Sequence, residues 1–162
     1  ISAFGLSEDL CISRKEALEY INQYFETYPG VKTFLDGLVA DAREKGFVST
    51  MFGRRRPVPE LGSANFMQRS FGERVALNMP IQGTAADIMK LAMVRVEHRL
   101  KGEGLAAKLI MQVHDELIVE CPEAEKETVE RLLEEEMSGV AHLAVPLPAQ
   151  AHSGRTWLEA KG

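Results

Sequence analysis

The chain has 162 residues, 45% hydrophobic and 27% charged, with a net charge of −5. That composition is globular and excludes a disordered or membrane-embedded chain, and no apolar run approaches membrane-spanning length. The length suits one domain or a part of a larger one; a chain that opens on Ile1, with neither Met nor a signal peptide, is expected to be a piece of a longer protein.

The first clear element starts at Ser13, where an N-cap serine and Glu16 three residues later form a capping box. The helix it opens carries Ala17, Leu18, Ile21, Tyr24, Phe25 and Tyr28 at helical spacing, and Pro29-Gly30 stops it. A second helix follows, with Val31, Phe34, Leu35, Leu38, Val39 and Ala42 as its inner stripe and Gly46 as C-cap. So short a break predicts an antiparallel pair.

Residues 47–53, FVSTMFG, read as a short strand or hairpin arm, and residues 54–63, RRRPVPELGS, as a loop. A long helix is predicted from about Ala64 to Leu100, with a kink or break at Pro80, which lacks a backbone donor and clashes with the preceding turn. Leu105–Val113 and Leu117–Cys121 then form an antiparallel hairpin. Pro122 is expected to open a further helix at its first position, with Glu123 and Glu125 complementing the dipole. Its inner face is Val129, Leu132, Leu133 and Met137. Residues 145–153 read as a final edge strand, and Trp157 and Leu158 as anchors of the tail. The order of helices, long helix, strand pair, helix and strand predicts an α+β fold.

Cys11 and Cys121 lie far apart and outside any metal-ligand spacing, so both are expected to be reduced packing residues of a cytoplasmic protein. The charge is unevenly spread. Between Arg43 and Lys108 twelve Lys and Arg face six acids, whereas residues 123–136 are strongly acidic. A basic middle suits a polyanionic partner despite the negative total.

Three stretches carry candidate chemistry. His114-Asp115-Glu116 interrupts two apolar strands at a bend without glycine. Asp is a good turn residue and exposed charge is cheap, which gives the bend an ordinary structural explanation. The alternative is a share of a Mg²⁺ site, since this hard ion takes one or two carboxylates plus substrate phosphates. A second carboxylate segment would be needed, and the candidate here, Asp87, lies inside a helix. Arg74, Asn78 and Gln82 are spaced four apart, on one helix face. Such a face is commonly just solvated. All three can also donate to the minor-groove acceptors that recur at every base pair, a grip indifferent to sequence. Gly83 to Ala86 would let another backbone approach closely. The basic triplet Arg54, Arg55 and Arg56 would be solvated in isolation and would hold phosphates beside a duplex.

QVHDE between two apolar strands, ERVALNMPIQGTAADIMKLAM before it, TMFGRRRPVP before that and ISAFGLS at the start together resemble the family A DNA polymerases, in order and spacing along the whole chain. The resemblance implies that residues 1–62 are the C-terminal part of a fingers subdomain and residues 63–162 the C-terminal part of a palm. It implies an α+β fold in which a helical fingers portion is followed by a long kinked helix on a small antiparallel sheet with one further helix. Asp115 would be a catalytic metal ligand, Glu116 would assist the metal site, and His114 would sit near the primer terminus. Arg74, Asn78 and Gln82 would contact primer and template in the minor groove, Arg54, Arg55 and Arg56 the backbone, and Ser2 would lie near the templating base. The implied chemistry is primer extension in replication and repair with two Mg²⁺, primer–template DNA and deoxynucleoside triphosphates, by a monomeric enzyme without membrane contact. The family's first motif, with its other essential Asp, and the helix that holds the triphosphate are absent, so the isolated chain is expected to be inactive. A non-catalytic duplex-binding fragment is the alternative. A phosphohydrolase using His114-Asp115 is a third reading, but its flanks here are strand-like, and His98, His142 and His152 show no ligand spacing.

Overall fold

The computed structural model describes residues 2–161. Helix α1 (Ala3–Leu10) was not expected. Cys11 closes it in the left-handed region at φ 53° and is exposed, so it is a helix-ending residue and not a packed one. α2 (Arg14–Thr27) starts with the expected capping box: the Glu16 N–H donates to Ser13 Oγ at 3.2 Å, and the Ser13 N–H to Glu16 Oε2 at 3.0 Å. Pro29 then opens α3 (Pro29–Lys45) at its first position, where a missing donor costs nothing. Gly46 ends α3 at φ 76°. The predicted inner stripes are only partly covered. Ala17 and Ala42 are buried, but Leu18, Tyr24, Tyr28 and Phe34 are half-exposed. Periodicity identifies an apolar face without specifying what lies against it.

Strand β1 (Phe47–Ser49) pairs with β2 (Arg55–Pro57) in antiparallel register, Val48 opposite Arg56. Most of the expected loop is therefore strand or 3₁₀ turn (Pro59–Gly62), with Pro57 at the strand end where no ladder donor is lost. α4 (Phe66–Gly102) spans 37 residues and runs through Pro80 without a break. An interior proline costs about 3 kcal/mol. Ala76 and Met79 before it, and Thr84 and Met89 after it, are buried, and burial of this kind opposes that cost.

The chain forms two compact units, one comprising the residues up to Ser49 with Gly53–Pro80, the other Thr50–Phe52 with the residues from Ile81 onward. The first is built on Ala42, Val48, Val58, Leu61, Val75, Ala76 and Met79. The core of the second joins Val96 and Leu100 of α4 to Ala107, Val129 and Leu132, with Leu117, Val119 and Cys121 packed against it.

In the second unit β3 (Lys108–Val113) and β4 (Glu116–Glu120) form the expected hairpin, with a register shift between Leu109 and Met111. Pro122 stays extended; a 3₁₀ turn (Glu123–Glu125) intervenes before α5 (Lys126–Ser138). Glu125 does not cap α5 with its side chain. Its carboxylate accepts the Ala106 and Ala107 N–H groups at 2.9 and 3.0 Å and ties the entry of β3 to that turn. Val129 and Leu132 are buried as expected. The predicted strand at 145–153 does not form. Side chains of α5 take its donors instead: Ser138 Oγ accepts from Ala149 N–H at 2.9 Å and Glu134 Oε1 from Ala151 N–H at 3.0 Å. The chain ends in α6 (Trp157–Lys161), with Trp157 half-exposed and Leu158 83% exposed, so Leu158 anchors nothing. The fold is α+β, and no helix among the described residues is long and apolar enough to cross a membrane.

Candidate functional site

The β3–β4 register places Val113 opposite Glu116, so His114 and Asp115 make a two-residue loop. Such loops require positive φ, normally supplied by Asn or Gly. Here His114 adopts φ 52°. The left-handed region costs an L-residue about 1–2 kcal/mol. The Gln112 side-chain amide donates to the His114 carbonyl at 2.6 Å and braces the bend. Below it, Leu117 and Val119 pack against the second core, so the tip stands on a buried base.

The two neighbouring acids have different surroundings. Asp115 is exposed, and its carboxylate makes no hydrogen bond or ion pair with a side chain among the described residues. Glu116 is half-buried and engaged on both oxygens. Trp157 Nε1 donates to Oε2 at 3.3 Å, and Lys161 Nζ pairs with Oε1 at 3.1 Å. The Lys161 ammonium also lies 5.5 Å from the centre of the Trp157 ring. The donor chemistry suits an oxygen-preferring divalent cation, which is commonly held by one or two carboxylates with substrate phosphates completing the shell. No group of three or more His, Cys, Asp or Glu poised for a metal occurs among the described residues. Asp87 is half-buried on α4, inside the helix where the sequence places it. The tip thus fits a share of a metal site, and Asp115 is its uncommitted carboxylate.

Arg74 and Asn78 are exposed on α4 in the first unit, and Gln82 is exposed on α4 in the second. Arg74 donates to Ser70 Oγ at 3.3 Å and its guanidinium lies 6.0 Å from the Phe71 ring. In the small-residue stretch, Thr84 is buried and its hydroxyl accepts the Met51 N–H at 3.0 Å, so a neighbouring backbone does approach closely there. Arg54, Arg55 and Arg56 are all exposed; Gly53 turns the chain into them at φ 80°, and the Arg55 guanidinium stacks 4.6 Å from the Phe47 ring centre. Ser2 is the N-cap of α1, its Oγ accepting the Gly5 N–H at 3.1 Å. Burial, and then Glu125, Glu123 and Glu130, push the Cys121 thiol up, which keeps it protonated as a packing residue.

Sequence reasoning placed Trp157 at the tail without its partner and missed Lys161. A lone lysine near a chain end carries no signal of which carboxylate it will meet.

The model of DNA polymerase family A matches residues 1–159. Over 161 residues the chain is 52% identical to DNA polymerase I of Bacillus caldotenax, covering 99% of this chain and 18% of that protein. It is 50% identical to DNA polymerase I of Caldicellulosiruptor bescii, covering 99% of this chain and 19% of that one. Among solved structures it is similar to the POL domain of Pol1 from M. smegmatis in complex with DNA primer-template and dNTP, at a TM-score of 0.95 and 44% identity, covering all of this chain and 29% of that one. The chain therefore spans under a fifth of the length of these curated relatives.

Proposed function

Because the chain belongs to DNA polymerase family A, we propose that it forms part of a DNA-directed DNA polymerase of replication and repair, which extends a primer by attack of its 3′-hydroxyl on the α-phosphate of a deoxynucleoside triphosphate. The observation that carries this reading is the exposed, uncommitted Asp115 carboxylate at the tip of a hairpin seated on a buried core. Asp115 would hold a Mg²⁺, with Glu116 assisting. When bound, two such ions supply activation of the attacking hydroxyl and neutralisation of the leaving pyrophosphate. His114, in the same loop, would lie beside the primer terminus. Arg74, Asn78 and Gln82 would donate to minor-groove acceptors, which favours correctly shaped pairs without reading sequence. Arg54, Arg55 and Arg56 would hold phosphates through contacts that weaken with salt, and Ser2 would lie near the templating base. In this scheme residues 1–62 belong to the fingers and residues 63–162 to the palm. The complete enzyme would work as a monomer in the cytoplasm and supply the remaining carboxylate and the triphosphate-binding helix, so the chain alone would not extend a primer.

The test is Asp115→Ala in a complete polymerase carrying this chain. Primer extension should be lost while primer–template binding persists; extension at the unaltered rate would refute the assignment. A second reading, duplex binding without catalysis, draws on the lack of a three-ligand metal group among the described residues. Mg²⁺-dependent nucleotide incorporation by the isolated chain would contradict that reading and the expected inactivity alike.

A further inference from the structure

Among the described residues Glu116 is the one acid of the bend whose two oxygens both have partners, and both partners come from α6. We infer that Trp157 and Lys161 are positioning residues for the hairpin tip: they fix the Glu116 carboxylate in its assisting place beside α6 and so set Asp115 as the acid that directly ligates a divalent cation. This rests on the proposed metal role of Asp115.

Three features make α6 a fixed support. The segment before it is tied to α5 through Ser138 and Glu134, and α5 is seated in the core by Val129 and Leu132. Gly154 lies so close to α6 that a Cβ there would sit 2.6 Å from Glu159 Cβ and 2.7 Å from the Ala160 nitrogen. The Arg155 N–H donates to Glu159 Oε2 at 2.8 Å, and Thr156 Oγ1 accepts the Glu159 N–H at 3.3 Å. A path of contacts therefore runs from the second core through α5 and α6 to the first residue of β4. Glu116 directly follows Asp115, so anchoring its side chain restricts the backbone that aims the neighbouring carboxylate. Partners that orient a ligating group commonly change metal affinity by about 10–100-fold when removed.

Trp157 is the single tryptophan of the chain, so its emission reads the contact directly. In the isolated chain Glu116→Ala should shift the emission of Trp157 and lower its anisotropy, while Asp115→Asn should leave both unchanged. In a complete polymerase carrying the chain, Trp157→Phe and Lys161→Met should each raise the Mg²⁺ concentration for half-maximal extension by roughly tenfold. Lys161→Arg should restore it, and primer–template affinity should not move. Unchanged emission in Glu116→Ala, or an unchanged Mg²⁺ requirement in both α6 variants, would overturn the inference. Extension surviving in Asp115→Asn would instead overturn the metal role beneath it, so the two failures are told apart.

Discussion

The two hairpins have the same plan and opposite chemistry. β1–β2 carries three arginines and enters them through Gly53, at φ 80°, where nothing lies within 4 Å of the position a Cβ would take. The β3–β4 bend carries two acids and places His114 at φ 52°, a conformation that glycine would adopt without strain. A backbone that turns left-handed for free in one hairpin is strained in the other. The second bend thus keeps a side chain at a conformational cost, the pattern expected where a residue is wanted for its chemistry. The bases differ as well, since β3–β4 rests on the core that contains Leu132, and β1–β2 on the one that contains Val58.

The strongest way to break the contrast is chemical. Asp115→Ala in a complete polymerase should lower primer extension by about a thousandfold, whereas neutralising one arginine of the triplet, Arg56→Ala, should mainly lower duplex affinity and flatten its salt dependence. Equal losses of extension would remove the distinction between the tips. Next in size is Leu132→Ala, at a side chain 1% exposed. It should cost about 2–5 kcal/mol, and hydrogen exchange should show amide protection falling in β3 and β4 before β1 and β2. A uniform loss would mean that the two cores unfold as one. Gly53→Ala should destabilise the chain by about 1–2 kcal/mol, and His114→Gly should raise its thermal midpoint. If both lower the midpoint equally, His114 is not strained.

The smallest effect concerns neither hairpin and calibrates the others. The Ser13 hydroxyl, and then its backbone N–H, hold Glu16 below the ordinary carboxylate value of 4.5. A lowered folded-state pKa contributes stability that is present above that value and is lost as the pH falls through the folded one. Ser13→Ala should lower the thermal midpoint near neutral pH, and the gap from the parent should shrink as acid protonates Glu16. A gap independent of pH would assign the effect to the hydroxyl cap alone.

Local chemistry was legible. The capping box at Ser13, the glycine end at Gly46, the β3–β4 hairpin and the α+β order all follow from interactions between residues close in sequence, where residue type and spacing are enough. The motifs likewise placed His114, Asp115 and Glu116 in one bend, because adjacent residues cannot be separated by folding. Other elements were decided by contacts that spacing does not encode. α4 continues as one helix through Pro80, with buried side chains on either side of it, so of the expected kink or break the break does not occur. Residues 145–153 are no strand because Ser138 and Glu134 of α5 take backbone donors that a strand partner would have used. That two acids share the tip of a strand pair is written in the order of residues 109–120. The partners that give the two acids different surroundings are not legible there, since Trp157 and Lys161 reach Glu116 from about forty positions away, and only a folded chain brings such side chains within hydrogen-bonding distance.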